Sequence, residues 1–346
     1  MWDPRAHDGY GPPGMSAHGG AALYPSPSYG PPLPHGYGYP YPNHQYSKGG
    51  EQCDEECAEE ECNRDQCGDE HRPPREGEQC CGIDIRPALP LALALSTVLG
   101  AACMLGVQLL LLATKLMPAA IVLYVIFGLI YAVTLICMAY ATWADPGQLR
   151  RDQAQAFSDM ASARNIQVNA NGDMLPQRCQ KTWLYKRPLR RYDHYCRWLC
   201  NCIALMNHRE FILMCMGLVL ISIFSLVTDV VIIVLFYQQW WALALIAIHF
   251  IYSVILLTLV GPIAKVHIGL ISRNELAAEW KRNDFYVVRK AGKPVPVSEL
   301  ADEEYNDLFE QFVYDRRRNP FDAGISRNCW SFWCISRWSS EQLGDF

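Results

Sequence analysis

Four long apolar runs dominate the hydropathy pattern of this chain. The first two cover 89–114 and 116–142 and contain no charged residue. The third covers 211–237 and contains one acid, Asp229, and the fourth covers 240–259. Each run is long enough for a helix that crosses a hydrocarbon core of about 30 Å. The pattern therefore predicts an all-α membrane protein with four transmembrane helices.

Basic residues flank these runs unevenly. Eleven Lys and Arg residues lie in the loop 143–210, between the second and third runs, whereas the other two connections hold one and none. Lys and Arg in short loops tend to stay on the cytosolic side of a membrane. We therefore expect a multi-pass protein whose two termini and long loop are cytosolic. This pattern fits the endoplasmic reticulum, the Golgi apparatus and the plasma membrane equally.

The polar parts of the chain differ in composition. Residues 1–50 are rich in Gly, Pro and Tyr, which cannot bury a core, and they are expected to be a disordered tail. The expected segments that follow are an acidic cysteine-rich stretch (51–86), the first helix pair (87–143), a cysteine-containing loop (144–210), the second helix pair (211–262) and a cytosolic tail (263–346). The net charge of -5 makes a nucleic-acid partner unexpected.

The stretch RYDHYCRWLCNCIALMNHREF, residues 191–211, concentrates groups suited to thiol chemistry. His194 is a base two residues before Cys196, and Asp193 can orient its imidazole, as in a catalytic triad. Neighbouring arginines supply positive charge that favours a thiolate. The short pattern D-H-x-C also fits a solvated loop. However, Cys196 precedes the third apolar run by only 15 positions, so its thiol is expected at the bilayer surface, where it would meet acyl chains.

Two ionisable residues interrupt the apolar runs. Asp229 lies in the third run and His249 in the fourth, and either would be costly against lipid. We expect Asp229 to be solvated near the far end of its helix. His249 is expected to form a hydrogen bond between helices.

Several motifs surround the thiol in a fixed order. Asp145-Pro146-Gly147 follows the second run, KRPLR covers 186–190, and N-P-F-D-x-G-x-x-x-N runs from Asn319 to Asn328. The block itself places its characteristic residues at Asp193, His194, Tyr195, Cys196, Trp198, Asn201, Cys202, Asn207 and Phe211. Together these motifs resemble the DHHC family of protein S-acyltransferases, whose pattern reads D-H-H-C-P-W-x-x-N-C-V-G-x-x-N-x-x-x-F. The resemblance covers residues 89–338.

The resemblance implies a palmitoyltransferase or a related S-acyltransferase. Cys196 would take the acyl group of palmitoyl-CoA, or of another long-chain fatty acyl-CoA, and pass it to cysteines of membrane-associated proteins that face the cytosol. His194 would act as general base and Asp193 as its orienter, with the acyl chain among the four helices. Lipid is the surrounding partner, and an accessory subunit is compatible with the family. On charge alone, the residues expected to hold the CoA group are Lys186, Arg187, Arg190 and Arg191, with Trp198 beside them.

Zinc ligands are the main departure from the family. Its cysteine-rich domain holds two zinc sites, and a tetrahedral site needs four ligands. Here only Cys179 and Cys202 fall at plausible ligand positions, and Tyr195 replaces the second histidine of the motif, so two complete sites cannot be built. A single improvised site would use Cys179, Cys200, Cys202 and His208. The alternative is that these thiols pack or become acylated.

A loop without zinc would need another core. Trp183, Tyr185 and Trp198 are the aromatic residues that could supply one. The family's T-T-x-E motif is also reduced here to L-A-A-E, in which only Glu279 remains.

Two functions stay open from the sequence. The intact D-H-x-C favours an enzyme, whereas the missing zinc ligands favour a catalytically silent scaffold or partner subunit. A channel or transporter is disfavoured, because the apolar runs contain few polar residues.

Overall fold

The computed structural model describes residues 79–80, 83–155, 176–236, 240–290, 292–338 and 342. The expected disordered tail over 1–50 lies outside the described residues, as does most of the acidic segment 51–86.

Four helical spans form the main body of the described chain. Helix α1 (Leu89–Cys103) continues through a π-helical turn (Met104–Gln108) into α2 (Leu109–Ala113), and the other long helices are α3 (Met117–Trp143), α4 (His208–Phe236) and α5 (Trp240–Arg273). Each of the four spans is long and apolar enough to cross a membrane. Large side chains on their outer faces are exposed, including Leu129, Val234 and Ile248, so lipid is their fitting solvent. The predicted all-α membrane fold is confirmed.

Helix α5 is longer than its apolar run. The apolar run ends near Leu259, before Gly261 and Pro262, but the helix continues through Pro262 to Arg273. Proline removes one hydrogen bond from a helix interior and does not by itself end a helix that is packed on its neighbours. The extension matters because it brings His267 to the loop that contains Cys196.

Close packing between α3 and α4 depends on a glycine. A Cβ atom on Gly217 would collide with the Thr134 side chain, so that Thr134 or the backbone would have to move. The absence of a side chain therefore lets the two backbones approach, as small residues do in membrane helix pairs.

A polar cluster lies inside the helical bundle. Asp229 is fully buried and accepts a 2.8 Å hydrogen bond from Gln108 Nε2, while His249 Nδ1 lies 3.0 Å from both carboxylate oxygens. The expected solvation of Asp229 is wrong, because these partners replace water. The expected interhelical hydrogen bond of His249 is confirmed.

Short strands build the loop and the C-terminal tail. In the loop, β3 (Gln180–Thr182) pairs with β4 (Tyr185–Leu189), and β5 (His194–Cys196) pairs with β6 (Asn201–Ile203). The elements of the tail are α6 (Ala277–Arg282), β7 (Tyr286–Lys290), β8 (Lys293–Pro296), α7 (Asp302–Leu308), β9 (Val313–Tyr314) and α8 (Ile325–Cys334). The three strands of the tail form a sheet in the order β8-β7-β9. A further short pair, β1 (Gln79–Cys80) with β2 (Ile83–Asp84), precedes α1.

Candidate active site

The β5–β6 hairpin sets the spacing of the candidate catalytic groups. Its register pairs His194 with Ile203, Tyr195 with Cys202 and Cys196 with Asn201. Successive side chains of a strand point to opposite faces. His194 and Cys196 therefore share one face, whereas Tyr195 faces the other way and packs edge-on against Trp183, with ring centroids 5.0 Å apart. The D-H-x-C spacing thus places base and thiol side by side.

Asp193, His194 and Cys196 form a connected chain of polar groups. His194 Nδ1 donates a 2.7 Å hydrogen bond to Asp193 Oδ2, and the imidazole also makes a hydrogen bond with Cys196. Asp193 is fully buried, and its other oxygen accepts a 2.8 Å hydrogen bond from the Ala277 N–H. The three predicted catalytic residues are therefore in the thiol, base and orienter arrangement.

Electrostatics favour an ionised pair in this chain. Burial alone would lower the pKa of His194, but its hydrogen bonds with Asp193 and Cys196 raise it to about 9. Burial acts to raise the pKa of Asp193, yet His208, His194 and His267 hold it well below its usual range. At neutral pH an imidazolium therefore lies beside Cys196.

The surroundings of Cys196 are apolar. The residue is 8% exposed and belongs to a hydrophobic cluster with side chains of α3, α4 and α5, including Ala141, Phe211 and Ala264. Hydrocarbon from a bound acyl chain would be compatible with such a surface.

Two asparagines of the block bind the loop to α3. Asn201 Nδ2 lies 3.0 to 3.2 Å from the carbonyls of Ala141, Thr142 and Ala144, at the end of α3. Asn207 accepts the Ala204 N–H at 2.9 Å, and its Nδ2 lies 2.9 Å from Cys202 O in the loop and 3.5 Å from Ala141 O of α3. The last carbonyls of a helix lack partners within it, so these amides satisfy groups that would otherwise be orphaned.

Two asparagines of the tail donate to carbonyl groups at the end of α5 in the same way. Asn319 Nδ2 donates to Arg273 O at 2.9 Å, and Asn328 Nδ2 donates to Ser272 O at 2.8 Å. Because each residue also lies beside a turn of the tail, the tail is tied to the end of the helix that carries His267.

The Asp145-Pro146-Gly147 turn connects α3 to the loop. Asp145 Oδ1 accepts the Gly147 N–H at 2.8 Å, and Pro146 O accepts the Met206 N–H at 2.9 Å. Gly147 has a φ of 112°, and a Cβ there would lie 2.9 Å from Met206 Cγ. Only glycine meets both conditions without strain.

The four basic residues expected to bind CoA are placed differently from one another. Arg190 is buried and donates to Gln342 O at 2.9 Å, and Arg191 is buried against His208 and Asn274. Burial lowers the pKa of Arg191 to about 9. These two guanidinium groups are committed to protein contacts, so their placement speaks against phosphate binding. Lys186 and Arg187 are exposed on β4, and Trp198 is 38% exposed.

The thiols of the loop do not fit a zinc site. Cys200 donates to Arg86 O at 2.8 Å, while Cys202 is buried beside Leu189 and Ala204, with Tyr185, Tyr192 and Tyr195 around them. Burial raises the pKa of Cys202 to about 12. Among the described residues, no metal-like group of ligands includes Cys179, Cys200 or Cys202.

The expected substitute core is only partly correct. Tyr185 belongs to this tyrosine cluster and Trp183 packs on Tyr195, as expected, but Trp198 lies at the surface.

A buried ion pair ties the loop to the tail. Arg178 forms a two-pronged contact with Glu279, with Nε–Oε1 at 2.8 Å and Nη2–Oε2 at 3.0 Å, and its side chain is 2% exposed. The guanidinium also lies over the Phe321 ring, 3.4 Å from its centroid. The surviving Glu279 was the only signal of this contact in the sequence, and Arg178 was missed as its partner.

Comparisons with known proteins concern the same region. Residues 173–284 match the family model described as DHHC palmitoyltransferase. The chain is also similar to Protein S-acyltransferase 8 of Arabidopsis thaliana, with 33% identity over 119 residues. That match covers 31% of this chain and 28% of the relative. The chain therefore matches less than a third of the length of this relative.

Proposed function

We propose that the chain is a protein S-acyltransferase, because residues 173–284 match the DHHC palmitoyltransferase family model. The donor is palmitoyl-CoA or another long-chain fatty acyl-CoA, and the acceptors are cysteines of membrane-associated proteins. The observation that carries the proposal is the Asp193–His194–Cys196 chain inside an apolar cluster at one end of the four-helix bundle.

The first step loads the enzyme. Cys196 Sγ attacks the carbonyl carbon of the acyl-CoA thioester, and the carbon–sulfur bond to CoA breaks. The departing CoA thiolate takes the proton that His194 carries. Asp193 stays ionised and keeps the imidazole oriented throughout.

The second step unloads it. An acceptor cysteine gives its proton to His194 and attacks the acyl-Cys196 thioester, and Cys196 leaves as a thiolate. The imidazolium and the thiolate are thereby restored. Because both thioesters have similar energies, the reaction needs no further cofactor.

Charge and topology support the remaining assignments. The exposed Lys186 and Arg187 on β4 are proposed to face the CoA phosphates, in place of the buried Arg190 and Arg191. The distribution of basic residues supports a cytosolic loop and cytosolic termini.

Formation of the acyl-enzyme is the direct test. The full-length protein in lipid nanodiscs is incubated with labelled palmitoyl-CoA, and the label on the peptide that contains Cys196 is quantified before and after neutral hydroxylamine. We expect a hydroxylamine-sensitive label that is lost in Cys196→Ala. The matched control is Cys334→Ala, which removes an exposed thiol of α8 and should leave the label on Cys196 intact.

Transfer is tested in the same preparation. A membrane-tethered peptide with one cysteine should acquire the acyl group from the wild type and not from Cys196→Ala. A wild-type protein that is folded but carries no label on Cys196 would contradict the proposal and leave the silent scaffold as the better account.

A further inference from the structure

Two histidines of the helical bundle face the same carboxylate oxygen as His194. His208 Nε2 and His267 Nδ1 each lie 3.8 Å from Asp193 Oδ2, which accepts the 2.7 Å hydrogen bond of His194. Both rings are buried, and neither of these two nitrogens has a hydrogen-bond partner in the described part of the chain. One oxygen of Asp193 therefore faces imidazoles from β5, α4 and α5.

Arg191 determines where the proton of His208 lies. Arg191 Nη1 is 3.3 Å from His208 Nδ1, and a guanidinium has only donors. His208 Nδ1 must accept this hydrogen bond, so the ring proton is on Nε2, the nitrogen that faces Asp193. A protonated nitrogen cannot ligate a metal. At His208 the arrangement is therefore suited to hold a carboxylate rather than a cation.

The ring of His267 is held by its neighbours. Its centroid lies 5.4 Å from that of His194 and 5.1 Å from that of Phe211, and its Nδ1 faces Asp193. A proton on Nδ1 gives the carboxylate a second donor from the bundle. His267 was not singled out by the sequence, because its helix was expected to end before it.

The polar and charged groups that face Asp193 and the histidines around it can be named in full for the described part of the chain. Asp193 faces His194, His208, His267 and the Ala277 N–H, while His208 also faces Arg191 and His194 also faces Cys196. Burial works to raise the pKa of Asp193, and His208 and His267 are two of the groups that lower it. Loss of either histidine would leave the effect of burial less opposed.

We propose that His208 and His267 are positioning residues that act through Asp193. Their N–H groups keep the carboxylate ionised and directed at His194, so that the imidazolium beside Cys196 persists into alkali. The inference rests on the proposed role of Asp193, His194 and Cys196, and extends it to two residues that touch neither the thiol nor the acyl donor.

Asparagine and glutamine variants at positions 208 and 267 distinguish this role from simple packing, because the two amides replace different ring nitrogens. An asparagine amide occupies the place of Nδ1 and a glutamine amide the place of Nε2. His208→Gln and His267→Asn therefore keep a donor toward Asp193, whereas His208→Asn and His267→Gln move it away. All four variants replace an imidazole by a neutral amide, so each position supplies its own matched control.

The readout is alkylation of Cys196 by iodoacetamide as a function of pH. It is measured by mass spectrometry on the peptide that contains Cys196, in full-length protein in nanodiscs. It needs no acyl donor. For His208→Asn and His267→Gln we expect the alkaline limb of the alkylation profile, where His194 loses its proton, to move toward neutrality by about one pH unit, because Asp193 loses an N–H that faces its carboxylate. In His208→Gln and His267→Asn the limb should stay at its wild-type pH.

Three results would overturn the proposal. The alkaline limb of the alkylation profile could stay at the same pH in all four folded variants. Alternatively, its position could depend on the length of the new side chain rather than on where its donor lies. A chelator could also move the wild-type limb, which would mean that a metal holds Asp193. If only one position yields folded protein, its pair of variants decides the question. A shifted limb in a protein that does not acquire an acyl label would refute the proposed function and retain this inference.

Discussion

His194 is held in its charged form by two partners, and this sets a limit at alkaline pH. Its pKa of about 9 lies above the usual value of about 6.5, so its proton is retained through neutrality and lost as the pH rises through about 9. The proton is needed by the departing CoA thiolate. We therefore expect the initial rate of Cys196 acylation to be level near neutral pH and to fall above about pH 9.

Asp193→Asn provides the comparison for this pH profile. The amide keeps the shape of the side chain but removes the charge that raises the pKa of His194, so the alkaline limb should move toward neutrality while the maximum rate falls. Rates are measured from pH 6 to 10.5, with Cys196→Ala subtracted as the background of spontaneous acylation. An alkaline limb that is unchanged in Asp193→Asn would show that another group controls it.

At the scale of single elements, the sequence predicts the four long apolar helices and misses the short β5–β6 hairpin. The four spans follow from long apolar runs, whose length alone separates them from soluble helices. The β5–β6 hairpin has three residues per strand and depends on contacts of Asn201 and Asn207 with α3, which are distant in sequence. The spacing of His194 and Cys196 was visible, but the strand that makes it effective was not.

The polar cluster between helices leads to a prediction about stability. Asp229 pairs with His249 of α5 and with Gln108 of the π-helical turn, away from lipid and water. Removal of one partner leaves a buried polar group without its counterpart. We expect Asp229→Leu and His249→Leu each to lower the thermal stability of the detergent-solubilised protein. The double variant should lose less than the sum, because it leaves no unpaired partner across this contact.

Gln108 and a lipid-facing residue supply the controls for that cycle. Gln108→Leu should be destabilising on its own, since Asp229 would lose a donor, whereas Val234→Leu on the exposed face of α4 should have little effect. Strict additivity of the two single changes would mean that Asp229 and His249 are not coupled.

At the scale of the whole molecule, the candidate site depends on contacts that no local pattern contains. The catalytic residues were predicted because their spacing is local. The assignment of Arg190 and Arg191 to CoA rests on charge alone, which does not tell whether a guanidinium is exposed or buried, and both are buried. Arg191, His208 and Asp193 meet only when the loop, α4 and α5 are assembled.

The Arg178–Glu279 pair tests whether zinc is needed to hold the loop. The residues are 101 positions apart, and their side chains are 2% and 6% exposed. Loss of one partner of such a pair costs about 3–5 kcal/mol. Arg178→Ala should therefore lower the melting temperature clearly, whereas Arg150→Ala, which removes an exposed pair with Asp152, should change it little.

A chelator should leave the wild-type melting temperature unchanged, since the thiols of Cys179, Cys200 and Cys202 form no metal-like group in the described part of the chain. A clear fall with chelator, together with bound zinc measured on the purified protein, would contradict this account. The loop would then depend on ligands from segments that the structure does not describe, and the ion pair would be an addition to the metal rather than its replacement.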